Sequence, residues 1–339
     1  MKDGRFITMG IESSCDETSI ALVADGRHIL SDVISSQISI HTKFGGVVPE
    51  IASRHHLQNI NRVMERALEE ADITLDEVDL IGVTNGPGLI GALVIGVAAA
   101  KALSFARDIP LVGVNHMHGH VSANYLQYED LEPPFMALIT SGGHTEIVKV
   151  NDYTSLEVLG GTRDDAVGEC YDKVARVLGL GYPGGPKIDR IAKEGDPEAI
   201  HFKRVFLEKD SFDFSFSGLK TAVLNHLNSE KQAGREINRA DVAASFQKAV
   251  TDVLVTHAMS AVKDLGEKRL VLAGGVASNG ALRAALDDAC RKSGVTLYCP
   301  PPILCTDNAA MIAAAGYYRY LGGQRDGWDL NAIPNLALG

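Results

Sequence analysis

The chain has 339 residues, of which 45% are hydrophobic and 6% aromatic, and it carries a formal net charge of −11. This length suits two packed domains. The acidic balance excludes a protein whose overall field attracts nucleic acid or an anionic membrane, so a nucleic-acid substrate would need a local basic patch or partner proteins.

The cysteines and the N-terminal sequence indicate a reduced, cytoplasmic protein. Five cysteines are present, no CxxC pair occurs, and no signal peptide precedes the first predicted strand at residue 6. The longest apolar run, 89–100, is interrupted by glycine and is too short to span a bilayer. We therefore expect no membrane segment.

Short apolar strands alternate with amphipathic helices along the first half of the chain, which indicates an α/β fold. The pattern predicts strands at 6–12, 18–24, 28–36, 80–84 and 110–114, and helices at 50–71 and from the turn 85–88 to 107. In the second half it predicts strands at 135–140, 145–150, 155–161, 268–273 and 296–300. It predicts helices at 164–179, 280–292 and 307–321, and further helical segments that end at about 266.

The same βββαβαβα order therefore occurs twice, which predicts two related lobes with a ligand cleft between them. We expect an N-terminal lobe over 1–130 and a C-terminal lobe over 131–305, with a helical insert at about 180–240. A helix at 306–325 is expected to pack back toward the first lobe, and 326–339 is expected to be a tail.

A pair of histidines, His116 and His120, follows the last strand of the first half. Their spacing puts both imidazoles on one face of a helix, which is half of a metal site. The duplication brings Asp307 to the corresponding place after the last strand of the second half, where a carboxylate could complete three ligands. The alternative is a helix start with ordinary hydrogen-bonded histidines. His118 faces elsewhere, and Met117 stands where a zinc protease needs glutamate.

Two glycine-rich turns offer backbone N–H groups to an anion. The turn 140–145, Thr-Ser-Gly-Gly-His-Thr, suits a phosphate or carboxylate, although a plain hairpin turn also needs glycine. The turn 274–280 leads from a strand into a helix and suits a nucleotide, with Asn279 bonding a ribose hydroxyl or base edge. The alternative is that Ser278 or Asn279 only caps the helix.

A Gly/Pro-rich loop at 181–189 follows a helix that carries several acids, among them Asp172. Glycine would let the backbone lie against an adenine or ribose, and a carboxylate can bind two sugar hydroxyls. The alternative is a plain connection with solvated carboxylates. Cys15 could be a nucleophile, but without a local histidine partner a structural role is preferred.

These motifs, taken in order, closely resemble the tRNA N6-adenosine threonylcarbamoyltransferase family over about residues 7–322. The resemblance is strongest in the bacterial and organellar branch. The segments that carry it are 10–18, 45–50, 85–88, 116–120, 141–145, 181–186, 274–279 and 306–309.

The resemblance implies the actin-like ATPase fold, with two duplicated RNase H-like lobes and an interlobe cleft. It also implies transfer of a threonylcarbamoyl group from threonylcarbamoyl-AMP to N6 of adenosine 37 in tRNAs that read codons beginning with A. The product is t6A, and AMP leaves. The mixed anhydride is already activated, so positioning and charge stabilisation suffice; no residue is assigned as the general base.

By similarity, one divalent metal per subunit, Fe²⁺ or alternatively Zn²⁺, is bound by His116, His120 and Asp307. The implied partners are tRNA, a homologous subunit without the metal motif and a small P-loop ATPase; DNA and membranes are not expected, and an isolated homodimer is possible. The residues that match contacts to the adenylate substrate, or to ATP or AMP, are Ile139, Thr140, Ser141, Gly142, Gly143, Asp172, Gly185, Asp189 and Asn279.

Three rival functions remain open from sequence. They are a small-metabolite kinase of the same fold, a non-catalytic scaffold like the homologous partner, and a metalloprotease. The scaffold reading is disfavoured because the partner lacks the histidine pair, and the protease reading because its glutamate is missing.

Overall fold

The computed structural model describes residues 4–208 and 211–338. Residues 1–3, 209–210 and 339, which fall in the predicted N-terminal lobe, insert and tail, lie outside the described residues. The strands are β1 (Ile7–Glu12), β2 (Glu17–Ala24), β3 (His28–Ser36), β4 (Leu80–Gly86), β5 (Leu111–Asn115), β6 (Phe135–Thr140), β7 (Thr145–Val150), β8 (Leu156–Gly161), β9 (Arg269–Ala273) and β10 (Thr296–Tyr298).

The helices follow the same chain order. They are α1 (Ile38–His41), α2 (Pro49–Ala71), α3 (Ile90–Arg107), α4 (His116–Ser122), α5 (Val167–Val177), α6 (Gly184–Ala192), α7 (Ser217–Gln232), α8 (Arg239–Asp264), α9 (Gly280–Ser293), α10 (Pro302–Cys305) and α11 (Ala309–Leu321). Most predicted strands and long helices are within one or two residues of these bounds.

The described residues form two units, each built on a five-stranded sheet. The first unit comprises the described parts of Met1–Pro134, Val150–Glu157 and Pro300–Gly339, and the second Phe135–Lys149 and Val158–Cys299. The first sheet has the order β3-β2-β1-β4-β5, and the second has the order β8-β7-β6-β9-β10. The two orders are equivalent strand by strand, so the predicted duplication is confirmed.

The first sheet is covered by helices on both faces. Strand β1 is antiparallel to β2 and parallel to β4, which is in turn parallel to β5. On one face, alternate β1 side chains pack against a buried stripe of α2 with helical spacing, namely Ile60, Val63, Met64 and Ala67. Residues of α3 complete this core.

Helix α11 packs against the opposite face of the same sheet, in contact with β1, β2 and β4. Glycine permits this close approach, because a Cβ on Gly10 would clash with the carbonyl oxygen of Ala309. Gly316 of α11 and Gly82 of β4 are also in close contact, because a Cβ on Gly316 would lie only 3.2 Å from the Gly82 Cα. This packing holds the segment that precedes α11, and with it Asp307, beside the carboxyl ends of the central strands.

In the second unit, β6, β9 and β10 run parallel, and α5, α6, α8 and α9 pack in sequence beside one another. Two predictions here are wrong in detail. Helix α5 begins at Val167 rather than 164, since Asp164 instead accepts hydrogen bonds from the Phe216 N–H and the Ser217 hydroxyl. Most of the predicted loop 181–189 is helical, because α6 begins at Gly184. The helix tolerates Pro186 because this proline lies in its first turn.

The region after β10 also differs from the prediction. The strand ends at Tyr298, a short helix α10 intervenes, and α11 begins at Ala309 with Asn308 as its N-cap. Asp307 therefore lies just before the capped helix instead of at its first residue. The segment belongs to the first unit, so all three predicted metal ligands come from one unit and not from two.

Helix α3 is long and apolar enough, by length and composition, to cross a membrane. The sequence prediction considered only the uninterrupted apolar run within it. In the structure the helix packs against β4 and α2, with Leu93, Val97 and Ala100 buried. Core helices commonly meet the same compositional test.

Candidate metal centre and anion-binding turns

Helix α4 presents two imidazoles side by side. Its N-cap is Asn115, whose side-chain Oδ1 accepts a hydrogen bond from the Met117 N–H at 2.9 Å. His116 and His120 follow one turn apart, and their ring centroids lie 4.7 Å from each other. Both rings are buried. Asp307 reaches them from the segment before α11.

The distances among the three side chains fit one shared ion. Asp307 Oδ1 lies 3.4 Å from His116 Nε2 and 3.3 Å from His120 Nε2. Ligand atoms bound at about 2.1 Å to a single ion are separated by about 3.0 Å at right angles and about 3.4 Å at the tetrahedral angle. His116, His120 and Asp307 thus present one nitrogen or oxygen each around a common point.

His120 gives an independent test of the fit to a metal. Its Nδ1 and Nε2 are both buried, and neither makes a hydrogen bond among the described residues, although Asp307 Oδ1 lies 3.3 Å from Nε2. Buried polar groups are nearly always paired. An ion taking Nε2 would satisfy one of these nitrogens, so the donor set fits a metal site.

Glu12, at the end of β1, orients His116. Its Oε2 lies 2.8 Å from His116 Nδ1 and accepts a hydrogen bond from the Thr84 hydroxyl at 2.7 Å. Its Oε1 accepts from the Ser14 N–H at 2.5 Å. A proton held on Nδ1 by this carboxylate leaves Nε2 free to bind a metal. The sequence alone predicted no role for Glu12, because its partner is 104 positions away.

Opposite charges set the protonation of the cluster. Burial disfavours ionisation, yet the negative charges of Glu12 and Asp307 outweigh it and raise the pKa of His116 well above its ordinary value. Despite the same burial, His116 lowers the pKa of Glu12 and of Asp307. Burial lowers the pKa of His120. Both carboxylates therefore remain ionised beside the imidazoles.

Cys15 is not suited to nucleophilic catalysis. Burial, followed by the negative charges of Asp16 and Asp307, raises the pKa of its thiol well above the ordinary value. A thiol in such surroundings stays protonated and unreactive. This agrees with the structural role preferred from sequence.

In the second unit, the turn between β6 and β7 has an open side. The Ser141 N–H donates to the His144 carbonyl at 2.8 Å, and the His144 N–H donates to Ser141 Oγ at 3.0 Å. Gly142 and Gly143 have ordinary φ values, and a Cβ on either would meet nothing within 4 Å. Within the described chain their N–H groups make no hydrogen bond. Packing therefore does not require glycine here, whereas close approach of a ligand would.

The other predicted residues of this turn lie in the sheet. Ile139 is fully buried in β6, and the Thr140 hydroxyl donates to the Ala273 carbonyl at 3.3 Å. The next turn begins at Gly274, whose φ of 89° and contact with the Thr140 carbonyl exclude a side chain. The turns after β6 and β9 are thus neighbours. In the first unit, Glu12 of β1 and Thr84 of β4, the equivalent strands, are neighbours as well.

Asn279 is confirmed as a helix cap. Its Oδ1 accepts from the Leu282 N–H at 3.0 Å, and its Nδ2 donates to Gln247 Oε1 at 2.8 Å. Both ends of its amide are therefore occupied, as in the helix-cap alternative considered from sequence. Any ligand contact by this side chain would have to share or replace one of these bonds.

Asp189 lies close to this cap. A Cβ on Gly280 would be 3.7 Å from Asp189 Oδ2, so the start of α9 lies beside the middle of α6. Asp189 Oδ1 is buried without a hydrogen-bond partner among the described residues, while Oδ2 lies 3.5 Å from Lys193 Nζ. Asp189 lines a pocket of about 460 Å³ together with Gln247 and alanines of α8 and α9.

Asp172 and Gly185 lie beside the start of α6. Asp172 Oδ1 accepts from the Gly184 N–H at 2.6 Å and so supports the first turn of that helix. A Cβ on Gly184 would collide with α5, whereas one on Gly185 would meet nothing within 4 Å. The structure therefore gathers Asp172, Gly185, Asp189 and Asn279 within the helical layer of the second unit.

Comparison with known proteins agrees with these observations. A family model described as tRNA N6-adenosine threonylcarbamoyltransferase matches residues 28–314. The protein of that name from Clostridium botulinum (strain Hall) is 59% identical over 331 residues, which cover 98% of this chain and 97% of the relative. The one from Clostridioides difficile (strain 630) is 56% identical over 332 residues, 98% of each chain.

Among solved structures, HypF from T. kodakarensis aligns with a TM-score of 0.65 at 14% identity. The alignment covers 94% of this chain and 48% of that one. At this identity the likeness concerns the fold alone, and it confirms the predicted actin-like ATPase fold.

Proposed function

Because the chain belongs to the tRNA N6-adenosine threonylcarbamoyltransferase family, we propose that it transfers the threonylcarbamoyl group of threonylcarbamoyl-AMP to N6 of adenosine 37. The tRNAs are those that read codons beginning with A; t6A forms and AMP leaves. The observation that carries the proposal is the cluster of His116, His120 and Asp307. The kinase, scaffold and protease alternatives gain no support from the 59% identical relative.

His116, His120 and Asp307 would hold one divalent ion per subunit. Two imidazoles and a carboxylate are a recurrent donor set for Fe²⁺, and they also suit Zn²⁺; we propose Fe²⁺. When bound, such an ion stabilises negative charge on substrate oxygens. Glu12 keeps the Nδ1 proton of His116 in place and thereby fixes the orientation of that ring.

The Ser141–Gly143 turn is proposed to hold the phosphate of the leaving AMP. The threonylcarbamoyl–phosphate bond is a mixed anhydride, so its cleavage needs a stable leaving group and correct positioning. As that bond breaks, negative charge grows on the phosphate. The unpartnered N–H groups of Gly142 and Gly143 are the donors that such a group requires.

The adenosine part of the substrate is proposed to lie along α6. The partnerless Oδ1 of Asp189 is an acceptor for a ribose hydroxyl, and the neighbouring pocket of about 460 Å³ offers alanine-lined space. Asp172, Gly185 and Asn279 complete the predicted set. Gly185 leaves room for a base or sugar against the backbone.

Partners and location complete the proposal. Adenosine 37 lies in the single-stranded anticodon loop, where a base can leave its stack and enter a pocket. The net charge of −11 supplies no general attraction for tRNA. We therefore propose that a homologous subunit without the metal motif and a small P-loop ATPase assist, and that the reaction takes place in the cytoplasm.

Mass spectrometry of tRNA nucleosides tests the function directly. The purified chain, with the candidate partners, is incubated with threonylcarbamoyl-AMP and tRNA that lacks t6A. We expect t6A from the wild type and from the control Arg66→Met, which alters an exposed residue of α2. His116→Ala and Asp307→Ala should lower t6A below detection while the fold is retained. Full activity of either variant would refute the proposed role of the cluster.

A further inference from the structure

A second cavity lies in the first unit, on the side of α4 away from the metal cluster. Its volume is about 260 Å³, and its walls include Asn115, His118, Arg319 and Asp326, together with part of the segment 330–338. None of the three metal-cluster residues lines it. The space far exceeds the 10–15 Å³ that one water needs, but it is smaller than pockets for drug-sized ligands, about 300–1,000 Å³.

Arg319 brings a positive charge to this cavity. Its Nε is buried and has no hydrogen-bond partner among the described residues. Burial lowers the pKa of Arg319, and the charge of Asp326 partly opposes this effect, so the two groups interact through space. Buried guanidinium groups are normally paired with an anion. Arg319 is half-buried, and it lines the cavity without an ion-pair partner among the described residues.

Asp326 brings the opposite charge and is held rigidly. Its Oδ2 accepts hydrogen bonds from the Gly113 N–H at 2.7 Å and from Gln324 Nε2 at 3.0 Å. Its own N–H donates to the Leu111 carbonyl at 2.9 Å, which anchors it to β5. The contacts of the described residues include no ion pair between Asp326 and Arg319. The cavity therefore has a positive group, Arg319, and a negative group, Asp326, that are not paired with each other.

We propose that this cavity binds a small zwitterion of the α-amino acid class, with its carboxylate on the Arg319 guanidinium and its ammonium group toward Asp326. A neutral ligand with two opposite charges matches both groups and adds no net charge to a partly buried site. A simple anion would face the Asp326 carboxylate, and a simple amine would face Arg319. His118 belongs to α4 and Asn115 is its N-cap, so an occupant would contact the helix that carries the histidine pair.

Isothermal titration calorimetry of the full chain tests the proposal. The probes are glycine, L-alanine and L-serine, with acetate, inorganic phosphate and methylammonium as single-charge comparisons. We expect at least one amino acid to bind and the single-charge probes to bind at least ten-fold more weakly. Arg319→Met and Asp326→Asn should each weaken amino-acid binding at least ten-fold, while Arg66→Met should not change it.

Asp326→Asn separates the proposal from a plain anion site. If the cavity selects anions, the wild type should bind acetate or phosphate at least as tightly as any amino acid, and Asp326→Asn should not weaken amino-acid binding. Either result would overturn the zwitterion. Absence of binding by every amino acid to the wild type would overturn it as well. Should Arg319→Met fail to fold, Arg319→Lys keeps the charge but loses the planar donor pair, and unchanged amino-acid affinity in that variant would contradict the role of the guanidinium.

Discussion

At the scale of single residues, Glu12 has the strongest influence on the metal cluster. Its carboxylate is fully buried and makes three contacts, to His116 Nδ1, the Thr84 hydroxyl and the Ser14 N–H. Groups that orient a metal-binding histidine commonly contribute 10–100-fold to metal affinity. The charge of Glu12 should therefore matter as well as its shape.

Glu12→Gln tests that contribution, because glutamine keeps the size of the side chain but removes the charge. We expect metal affinity to fall by about ten-fold or more, measured by competition with a chromogenic chelator. Glu65→Gln, on the exposed side of α2, is the matched control and should bind metal as the wild type does. Unchanged affinity in Glu12→Gln would contradict the orienting role.

The same variant should shift the pH dependence of metal binding. In the metal-free protein the negative charges raise the pKa of His116, so protons compete for its ring up to a higher pH than for an ordinary histidine. Removing the Glu12 charge lowers that pKa. The pH below which metal affinity declines should therefore move downward in Glu12→Gln.

Gly143→Val tests the anion-binding turn. A Cβ here meets no protein atom within 4 Å, so the unfolding temperature should stay close to that of the wild type. The valine would occupy the space that we assign to the phosphate, and kcat/KM should fall at least ten-fold, about 1.4 kcal/mol. Gly218→Val on α7, another exposed glycine with open space, should leave kcat/KM unchanged. If Gly143→Val and Gly218→Val were equally active, the turn would not be part of the substrate site.

Local spacing predicted some of these residues and could not predict others. His116 and His120 were found because a helix places positions four apart on one face. Asp307 was found through the internal repeat, but its exact position was missed because α10 and the Asn308 cap precede α11. Glu12 could have been found by noting that β1, β4 and β5 are parallel neighbours whose carboxyl ends meet.

At the scale of elements, α4 depends on a segment far away in sequence. Asn115 caps α4 through Oδ1, and its Nδ2 donates to the carbonyls of Leu336 and Ala337 at 3.4 and 3.0 Å. The Ile333 N–H also donates a hydrogen bond to the Asn85 carbonyl at 2.7 Å. The segment 333–337 thus stabilises the start of the helix that carries both imidazoles.

Asn115→Ala should therefore destabilise both the fold and the metal centre. Loss of the cap costs about 1 kcal/mol, and the two carbonyls lose a donor, for roughly 1 kcal/mol more. Denaturant unfolding of the metal-free protein measures the loss, and chelator competition measures metal affinity. Asn115→Ser keeps a capping oxygen and should recover part of the stability. If Ala and Ser variants were equally stable, the cap would be unimportant.

The regular elements were predictable because their signals are local. Alternating or continuous apolar runs located β1 to β7, and the stripe of α2 located that helix. The errors occur where side chains from distant parts compete with local preference. Asp164 illustrates this, since its bonds to the segment 215–217 delay the start of α5, and the glycine and proline content of 181–189 concealed helix α6.

At the scale of the whole molecule, the repeat is the property that the sequence conveys best. Two sheets of equivalent strand order arise from two halves with the same order of elements. The sequence analysis also expected a helix at 306–325 to pack back toward the first lobe, and in the structure positions 116, 120 and 307 belong to one unit. That assignment depends on the packing of α11 against glycines of β1 and β4.

Metal analysis of the purified chain tests the central claim most directly. Protein prepared without chelator is dialysed against excess Fe²⁺ or Zn²⁺ under reducing conditions, freed of unbound ions, and analysed by inductively coupled plasma mass spectrometry. We predict about one ion per chain in the wild type and in Glu65→Gln, and loss of that ion in His116→Ala, His120→Ala and Asp307→Ala. A wild type without bound metal, or folded variants that retain it, would contradict the account.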